Sequence, residues 1–456
     1  MGRAFKIVIL GGGVAAGYAT LEFVKHGIPH GDLCIISEEA VAPYERPALS
    51  KGCLLPEGAA ALPSFHTCVG VGAERQTPKW YKDHGMELVL STRIKSVDVK
   101  KRTLLSAAGE TITYKTLIIA TGARVLRLEE FGVTGADADN ICYLRDLEDA
   151  NKLVQVMASC KGGMAVVIGG GYIGMECAAA LVSNNIKVTM VFPEHHCMAR
   201  LFTSEIAAFY EGYYRKRGVT FIKGTVMAAF ESNEEKKVTA VVLKDGRHVE
   251  ADMVVVGIGI RPNIGLFEGD VVTFPLKSYR DTRRLEHVDH ARKSAAHAVQ
   301  AIMSPEKVHE YDYLPFFYSR VFTLSWQFYG DNVGDCIMFG EPNDKKFGAF
   351  WVEKGHLVGA FLEGGNKEEY SALEKVARLK PCVLDLELLG RQGLAFPFTF
   401  KEQLGQSSSL IAAVADRGQM LLEKPSPFVL QISAGIAVAI GVSLLAVWYG
   451  KKRRRW

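Results

Sequence analysis

Short apolar runs alternate along the chain with segments whose apolar positions recur at helical spacing. Lys6–Leu10 reads as an apolar strand that runs into three glycines, followed by a helix through about Lys25. Leu33–Ser37 reads as the next strand. The run from Tyr44 to Lys51 reads as a loop leading into a short helix, and Leu117–Gly122 as a buried strand ending in a turn. A polar, acid-rich connection covers residues 126–149. Ala165–Ile168 then opens a second strand–glycine–helix unit with Lys187–Phe192 as its following strand, and Val238–Leu243 and Met253–Val256 are further strands. This strand–helix alternation predicts an α/β fold built on parallel sheets. From about Tyr311 the chain is rich in aromatic residues, among them Trp326, Phe328 and Tyr329, and reads as a separate α+β lobe. A polar stretch with serine and proline, Lys401–Pro427, suits a linker.

The strand Ala4–Leu10 starts so early that it leaves no room for a presequence. The other end differs. Phe428–Tyr449 is uncharged and apolar, close to the roughly 20 residues that cross a bilayer, and it ends in Trp448 and Tyr449. Five basic residues follow at positions 451–455, so a C-terminal tail anchor with a cytosolic body is expected. Those five residues also change how the charge reads. The formal net charge is +4, and without them the body carries −1, which offers no nucleic-acid surface. With 456 residues the chain is long enough for two or three domains. Its nine cysteines include no CxxC or CxxxxC pair, so a disulfide framework, a thiol-cycling centre and a cysteine metal site all lack support.

The candidate chemistry lies at the two glycine turns, Gly11-x-Gly13-x-x-Ala16 and Gly169-x-Gly171-x-x-Gly174. Glycine there lets the backbone turn tightly and approach a pyrophosphate, while the helix N-terminus supplies free N–H groups and a positive dipole. One such turn is a weak signal. Two in one chain imply two dinucleotides, and so electron traffic between a nicotinamide and a flavin. Glu38 and Glu39 follow the second strand, and either can accept the adenosine ribose hydroxyls. Glu194 occupies the matching place after Lys187–Phe192; its charge would repel a 2′-phosphate and favours NADH, although Arg200 nearby could offer a phosphate contact. Only Cys53 stands near Lys51, so no cysteine pair can relay electrons and the flavin must discharge directly to its acceptor.

Four runs carry a resemblance: Val-Ala-Pro-Tyr-Glu-Arg-Pro-Ala-Leu-Ser-Lys (41–51), Val-Ile-Gly-Gly-Gly-Tyr-Ile-Gly-Met-Glu-Cys (167–177), Arg-Arg-Leu-Glu-His-Val-Asp (283–289) and Ser-Trp-Gln-Phe-Tyr-Gly-Asp-Asn-Val-Gly (325–334). Through them the chain, over nearly all of residues 4–425, resembles plant monodehydroascorbate reductases, and its anchor with a basic tail resembles the peroxisomal-membrane members. The resemblance implies two Rossmann-like domains of the glutathione-reductase-like flavoprotein fold, a C-terminal α+β domain and a C-terminal transmembrane helix. The corresponding bounds are 1–124 with 252–310 for FAD, 125–251 for NAD, 311–400 for the C-terminal domain, 401–427 for the linker and 428–449 for the anchor. It implies FAD contacts from Gly12, Gly13, Val14, Ala15, Glu39, Arg46, Lys51, Ile94, Arg145, Asp270, Val288 and Tyr318. NADH contacts would come from Gly170, Gly171, Tyr172, Ile173, Gly174, Met175, Glu176, Glu194, Arg200, Gly259, Glu286 and His287. Arg292 and Tyr318 would meet the organic radical, and a Lys51–Glu176 pair would stabilise the charge of the reduced flavin. The implied reaction passes a hydride from NADH to FAD and then single electrons to two monodehydroascorbate radicals.

The chain departs from that pattern in one place. Between Glu268–Gly269 and Asp270 the family carries a longer segment, including a strand that feeds the aspartate holding the ribityl chain, and here that segment is missing. Weaker FAD binding and lower stability are expected. Two alternatives follow: a flavin-deficient protein tethered to the membrane, and a reductase serving an iron–sulfur protein.

Overall fold

The structure, a computed structural model, describes residues 2–55, 75–267, 274–276 and 281–400. Residues 1–387 form one compact unit and residues 388–456 another. The first unit begins with a six-stranded sheet of β1 (Arg3–Leu10), β2 (Leu33–Ile36), β3 (Glu87–Val89), β4 (Ile94–Asp98), β5 (Thr103–Ser106) and β6 (Thr111–Ile119), in the order β3-β2-β1-β6-β5-β4. The first four in that order are parallel, and β5 and β4 close it as an antiparallel hairpin. Ile7–Leu10 and Leu33–Ile36 are wholly buried, as strands covered on both faces must be. Helix α1 (Val14–Lys25) packs Ala16, Ala19 and Phe23 against Ala295 and Val299 of α6 (Val288–Met303). The short helix α2 (Pro78–Asp83), capped by the Thr77 side chain, adds Trp80 and Tyr81 to the same core.

The strand expected at Leu117–Gly122 differs in length and burial. β6 starts at Thr111 and stops at Ile119, and Thr116–Ala120 are only half-buried although they are as apolar as β1. The cause is a missing neighbour. β5 pairs only with Thr111–Thr113, so beyond the hairpin β6 has β1 on one side and, among the described residues, no strand on the other.

A second sheet, all parallel, has the order β11-β10-β9-β15-β8. It comprises β8 (Ile141–Cys142), β9 (Met164–Ile168), β10 (Lys187–Phe192), β11 (Thr220–Lys223) and β15 (Met253–Val256). Helices α3 (Leu147–Ser159), α4 (Tyr172–Ser183) and α5 (Ser204–Arg215) belong to it, and an antiparallel trio β12 (Met227–Ser232), β13 (Val238–Leu243) and β14 (His248–Glu250) accompanies it. Two expectations are corrected here. Met253–Val256 lies between β9 and β8, so the boundary placed at residue 252 comes one strand too early. The polar connection 126–149 contains β8 and the start of α3. Its alternation is too short to read as a strand, and Asn140 pins it by donating to Val238 O and Asp252 O. The two sheets are joined by a ribbon of β7 (Ala123–Val125) and β16 (Ile260–Pro262).

The third layer is antiparallel, in the order β19-β20-β23-β22-β21, formed by β19 (Phe316–Val321), β20 (Leu324–Gly330), β21 (Asp335–Glu341), β22 (Lys346–Glu353) and β23 (His356–Glu363), with α7 (Lys367–Leu379) after it. Its aromatic residues are packing residues: Trp326 meets Tyr172 and Phe202, and Phe347 meets Phe209 of α5 at 4.7 Å. A small ribbon, β17 (Phe274–Leu276) with β18 (Asp281–Arg283), leads into α6. In the second unit, α8 (Leu386–Gln392) ends and residues 395–400 are helical. Asp270, the linker 401–427 and the apolar run 428–449 lie outside the described residues; among those described, no helix is long and apolar enough to cross a membrane.

Candidate functional site

The two glycine turns are built alike. Gly11 and Gly169 hold φ of 119° and 114°, where a side chain is strained, and a Cβ would meet the Ala120 and Gly257 carbonyl oxygens at 2.1 and 2.3 Å. A Cβ on Gly12 would strike Ser37 Oγ at 2.3 Å, and one on Gly170 the Phe192 ring at 2.8 Å. Gly13 and Gly171 then cap α1 and α4 with no side-chain hydrogen bond, so the helix N-termini at Val14–Ala15 and Tyr172–Ile173 keep unclaimed donors. Gly174 brings α4 against the turn itself, since its Cβ would lie 2.0 Å from Gly169 O. The hydroxyl of Tyr172 is buried without a partner beside the second turn, and Met175 is a core residue of the same helix. These cradles fit a dinucleotide phosphate at each turn.

Around the first turn, Glu39 accepts from the Tyr44 hydroxyl at 2.7 Å and from Arg46, while Glu38 points outward to Arg93. Of the two acids, Glu39 is therefore the one tied to the 41–51 run. Arg46 also donates to Arg145 O at 2.8 Å, and Arg145 donates to Ala123 O at 2.6 Å. Burial, with Arg46 nearby, pulls the Arg145 guanidinium down to about 10. Two cations held this close beside an uncapped helix end suit a diphosphate. Ile94 packs its side chain into the core of the first sheet, so only its backbone could face a ligand. Asp270 lies outside the described residues.

Beyond the second turn, α4 carries Glu176, which is buried and meets three donors. Lys51 Nζ lies 2.7 Å from its Oε1, the Ser319 hydroxyl donates to the same oxygen at 2.5 Å, and the Ser50 hydroxyl donates to Oε2. Residues from the 41–51 run, the NAD-type helix and β19 thus meet at one carboxylate. Arg292 of α6 reaches the same region; its Nη2 donates to Glu45 Oε2 at 2.6 Å, and Glu45 Oε1 accepts from Tyr18 OH at 2.8 Å. Burial would lower the Arg292 guanidinium, but Glu45 outweighs it and holds the group above its ordinary value. Burial raises the Tyr318 phenol, opposed by Arg292, which shares a hydrogen bond with it. Cys53 is pushed up to about 12 by burial, which leaves it a poor nucleophile.

Lys51 and Glu176 are paired, as expected, and Arg292 and Tyr318 share a hydrogen bond. Ser50, Ser319, Glu45 and Tyr18, which join these contacts, were not singled out in the sequence. Ser50 and Glu45 lay inside the quoted 41–51 run; nothing local in the sequence marked the other two. Glu194 and Arg200 are both exposed after β10, and Asn332 donates to Arg200 O at 3.0 Å. Gly259, at φ 125°, follows β15. Glu286 is exposed and paired with Arg284 at 2.6 Å, away from the buried network.

His287 caps α6, directly before Val288, by accepting from Asp289 N at 3.3 Å. Phe316, Phe317 and Tyr318 surround its ring at 5.1–6.0 Å. Burial, helped by Arg292 and Lys51, lowers it to about 4, so it is neutral at physiological pH. The unfolded chain then binds more protons between about pH 6.5 and 4, and stability is present above that window and lost as pH falls through it. His290, also lowered to about 4 by burial, acts in the same direction. His287→Asn keeps a capping side chain and is expected to recover about 1–3 kcal/mol of the acid loss. Melts between pH 7 and 4 would show this, and an unchanged acid profile would count against it.

Residues 5–285 match the sequence model of the pyridine nucleotide-disulphide oxidoreductase family, and residues 314–397 match that of the monodehydroascorbate reductase 3-like C-terminal domain. The chain is 61% identical to the peroxisomal monodehydroascorbate reductase 4 of Arabidopsis thaliana, with 100% of each chain covered. It is 58% identical to the peroxisomal monodehydroascorbate reductase 2 of Oryza sativa subsp. japonica, again over 100% of each. Monodehydroascorbate reductase of Pisum sativum is 54% identical over 87% of this chain and 99% of that one. The alignment with the Arabidopsis protein runs over 488 positions against 456 residues here, so at least 32 of them fall opposite gaps in this chain. Among solved structures, the covalent putidaredoxin reductase–putidaredoxin complex has a TM-score of 0.77 at 25% identity, covering 87% of this chain and 98% of that one. The ferredoxin reductase for the CYP199A2 system of Rhodopseudomonas palustris has 0.73 at 26%, covering 84% and 99%.

Proposed function

The chain belongs to the monodehydroascorbate reductases of the pyridine nucleotide-disulphide oxidoreductase family, and from that membership and its geometry we propose that it uses NADH to reduce the monodehydroascorbate radical to ascorbate. Bound FAD supplies the step from hydride to single electrons. The observation that carries the reading is the Lys51–Glu176 pair on the helix of the second glycine turn, joined by Ser319 of the strand whose Tyr318 hydrogen-bonds Arg292, with no CxxC or CxxxxC partner for Cys53 in the sequence.

Each part of the chain has its task. Gly12, Gly13, Val14 and Ala15 with Arg46 and Arg145 would hold the FAD diphosphate, Glu39 the ribose, and Asp270 the far end. The backbone of Ile94, the start of α6 at Val288 and the Tyr318 ring would complete that site. Residues 170–176 with Glu194, Arg200, Gly259, Glu286 and His287 would hold NADH. Arg292 meets the organic anion as a permanent forked cation, and Tyr318 orients it. Lys51, held by Glu176, faces negative charge as it develops. The three layers correspond to an FAD domain, an NAD domain and a C-terminal domain, with β15 assigned to the second.

The test is a visible absorbance spectrum of the purified protein followed by NADH oxidation, started by generating the radical from ascorbate with an oxidase. An iron–sulfur protein is offered in a parallel arm, because the structural neighbours include reductases of such carriers. NADH oxidation that depends on the iron–sulfur protein and not on the radical would reverse the assignment. Glu194→Ala is expected to narrow the preference for NADH over NADPH by about tenfold, since it removes a carboxylate facing the 2′-phosphate. An unchanged kcat/KM ratio for the two nucleotides would remove Glu194 from that role.

Residues 428–449 with the basic tail would anchor the protein in the peroxisomal membrane and leave the body in the cytosol. Relatives named as peroxisomal support the destination, and the uncharged length of the run supports the anchoring.

A further inference from the structure

Glu45 joins three elements. It precedes the turn Arg46–Ala48, accepts through Oε1 from Tyr18 of α1 at 2.8 Å, and accepts through Oε2 from Arg292 of α6 at 2.6 Å. The Arg292 guanidinium lies 5.2 Å from the centre of the Tyr18 ring and shares a hydrogen bond with Tyr318. Arg292 Nε is buried and without a partner. Glu45 and Arg292 have 18% and 27% of their side chains exposed, so water screens the pair only in part. One side of the arginine fork is therefore occupied by a carboxylate, while another donor remains unclaimed.

We propose that Glu45 is a positioning residue for the organic substrate, one that aims the Arg292 fork and cancels part of its charge so that a singly charged anion binds and leaves again. This rests on the reading of Arg292 as the group that meets the ascorbate-type anion. Substrate and product differ by one electron and one proton. Both carry a single negative charge and neither has a bulky group the other lacks, so an uncompensated guanidinium would hold both tightly and slow the exit of the product. Binding that is equally strong for both does not speed the chemistry. A neighbouring carboxylate weakens that uniform attraction. Its hydrogen bond also fixes the arginine against the Tyr18 face, with the exposed part of the guanidinium left to the ligand.

The role separates into charge and aim, and two variants divide them. In Glu45→Gln the amide oxygen can still accept from Arg292 and the amide nitrogen can donate to the Tyr18 oxygen, so aim is kept and charge is lost. In Glu45→Ala both are lost. The full chain supplied with FAD is assayed for KM toward the radical, inhibition by ascorbate and KM for NADH, and ascorbate affinity is measured separately by calorimetry. Glu45→Gln is expected to lower KM for the radical and the ascorbate dissociation constant by roughly threefold to tenfold. Glu45→Ala is expected to raise both, and KM for NADH should hold in each. A merely structural role would move both variants in one direction, and that result, or an unchanged ascorbate affinity in Glu45→Gln, would overturn the proposal. Arg292→Lys serves as the control. If it alters ascorbate affinity while Glu45→Gln does not, the Glu45 proposal alone fails; if it alters nothing, the placement of the substrate at Arg292 fails as well.

Discussion

Replacement of Lys51 by methionine is expected to slow reduction of the bound flavin by NADH about a hundredfold, close to 2.7 kcal/mol of lost electrostatic support. Lys51 Nζ is held 2.7 Å from Glu176 Oε1, and Ser319 and Ser50 donate to two further lone pairs of that carboxylate. The ammonium therefore has one direction, set by residues from three parts of the chain. A cation fixed before the reaction spends nothing on reorganisation when negative charge arrives, which is what makes it effective. Glu176→Gln should cost less, about tenfold, because the amide still meets the two serines while the lysine loses only its tether. Stopped-flow absorbance at the flavin band reads both, with KM for the radical as the control. A complication has a defined sign: Lys51→Met leaves Glu176 buried and unpaired, which destabilises the fold. The double variant removes that stray charge, so it should melt higher than Lys51→Met yet reduce its flavin no faster. Reduction at the wild-type rate in Lys51→Met would dismiss the lysine from the chemistry.

Most of what made this site legible is local. A glycine turn between an apolar strand and a helix is written within about ten residues, and both turns appear with the expected positive φ at Gly11 and Gly169. Acids at strand ends are equally local, which is why Glu39 and Glu194 could be named. What escaped is contact across the chain. Ser319 reaches Glu176 over 143 positions and Arg292 reaches Glu45 over 247, and no periodicity encodes such pairs. The domain boundary failed for a related reason. Met253–Val256 reads as a strand in sequence, but the sheet it joins depends on the parallel crossover to β9, which is a property of topology. The burial of β6 was misjudged because an apolar run announces that it wants cover and says nothing of whether the cover exists.

That uncovered strand sets the second large expectation. Reinserting the Arabidopsis relative's segment between Gly269 and Asp270 should raise the melting temperature by about 5–10 °C and increase the flavin-to-protein ratio of the purified body. Thr116–Ile119 pair with β1 at Ile7–Leu10, while among the described residues their outer edge has no strand. Half of their N–H and C=O groups point to that edge, and Leu117, Ile118 and Ile119 are only half-buried. Leu266 and Phe267 pack against a core of this sheet, which covers side chains without supplying a ladder. A buried backbone group left unpaired costs about 1–3 kcal/mol, less where water reaches it, so a few kcal/mol are at stake across these residues. The same change bears on the cofactor. In the family pattern a strand delivers Asp270 to the far end of the flavin, whereas the phosphate end at Gly12, Gly13 and Arg46 is built here from intact elements. Flavin should therefore be held by one end and lost on gel filtration, with the extended form retaining it. Exposed edges also pair with other chains, so the shorter form should aggregate sooner on heating. Flavin at one equivalent in the natural chain, together with an unchanged melting temperature after reinsertion, would mean that another part of the molecule already closes this edge.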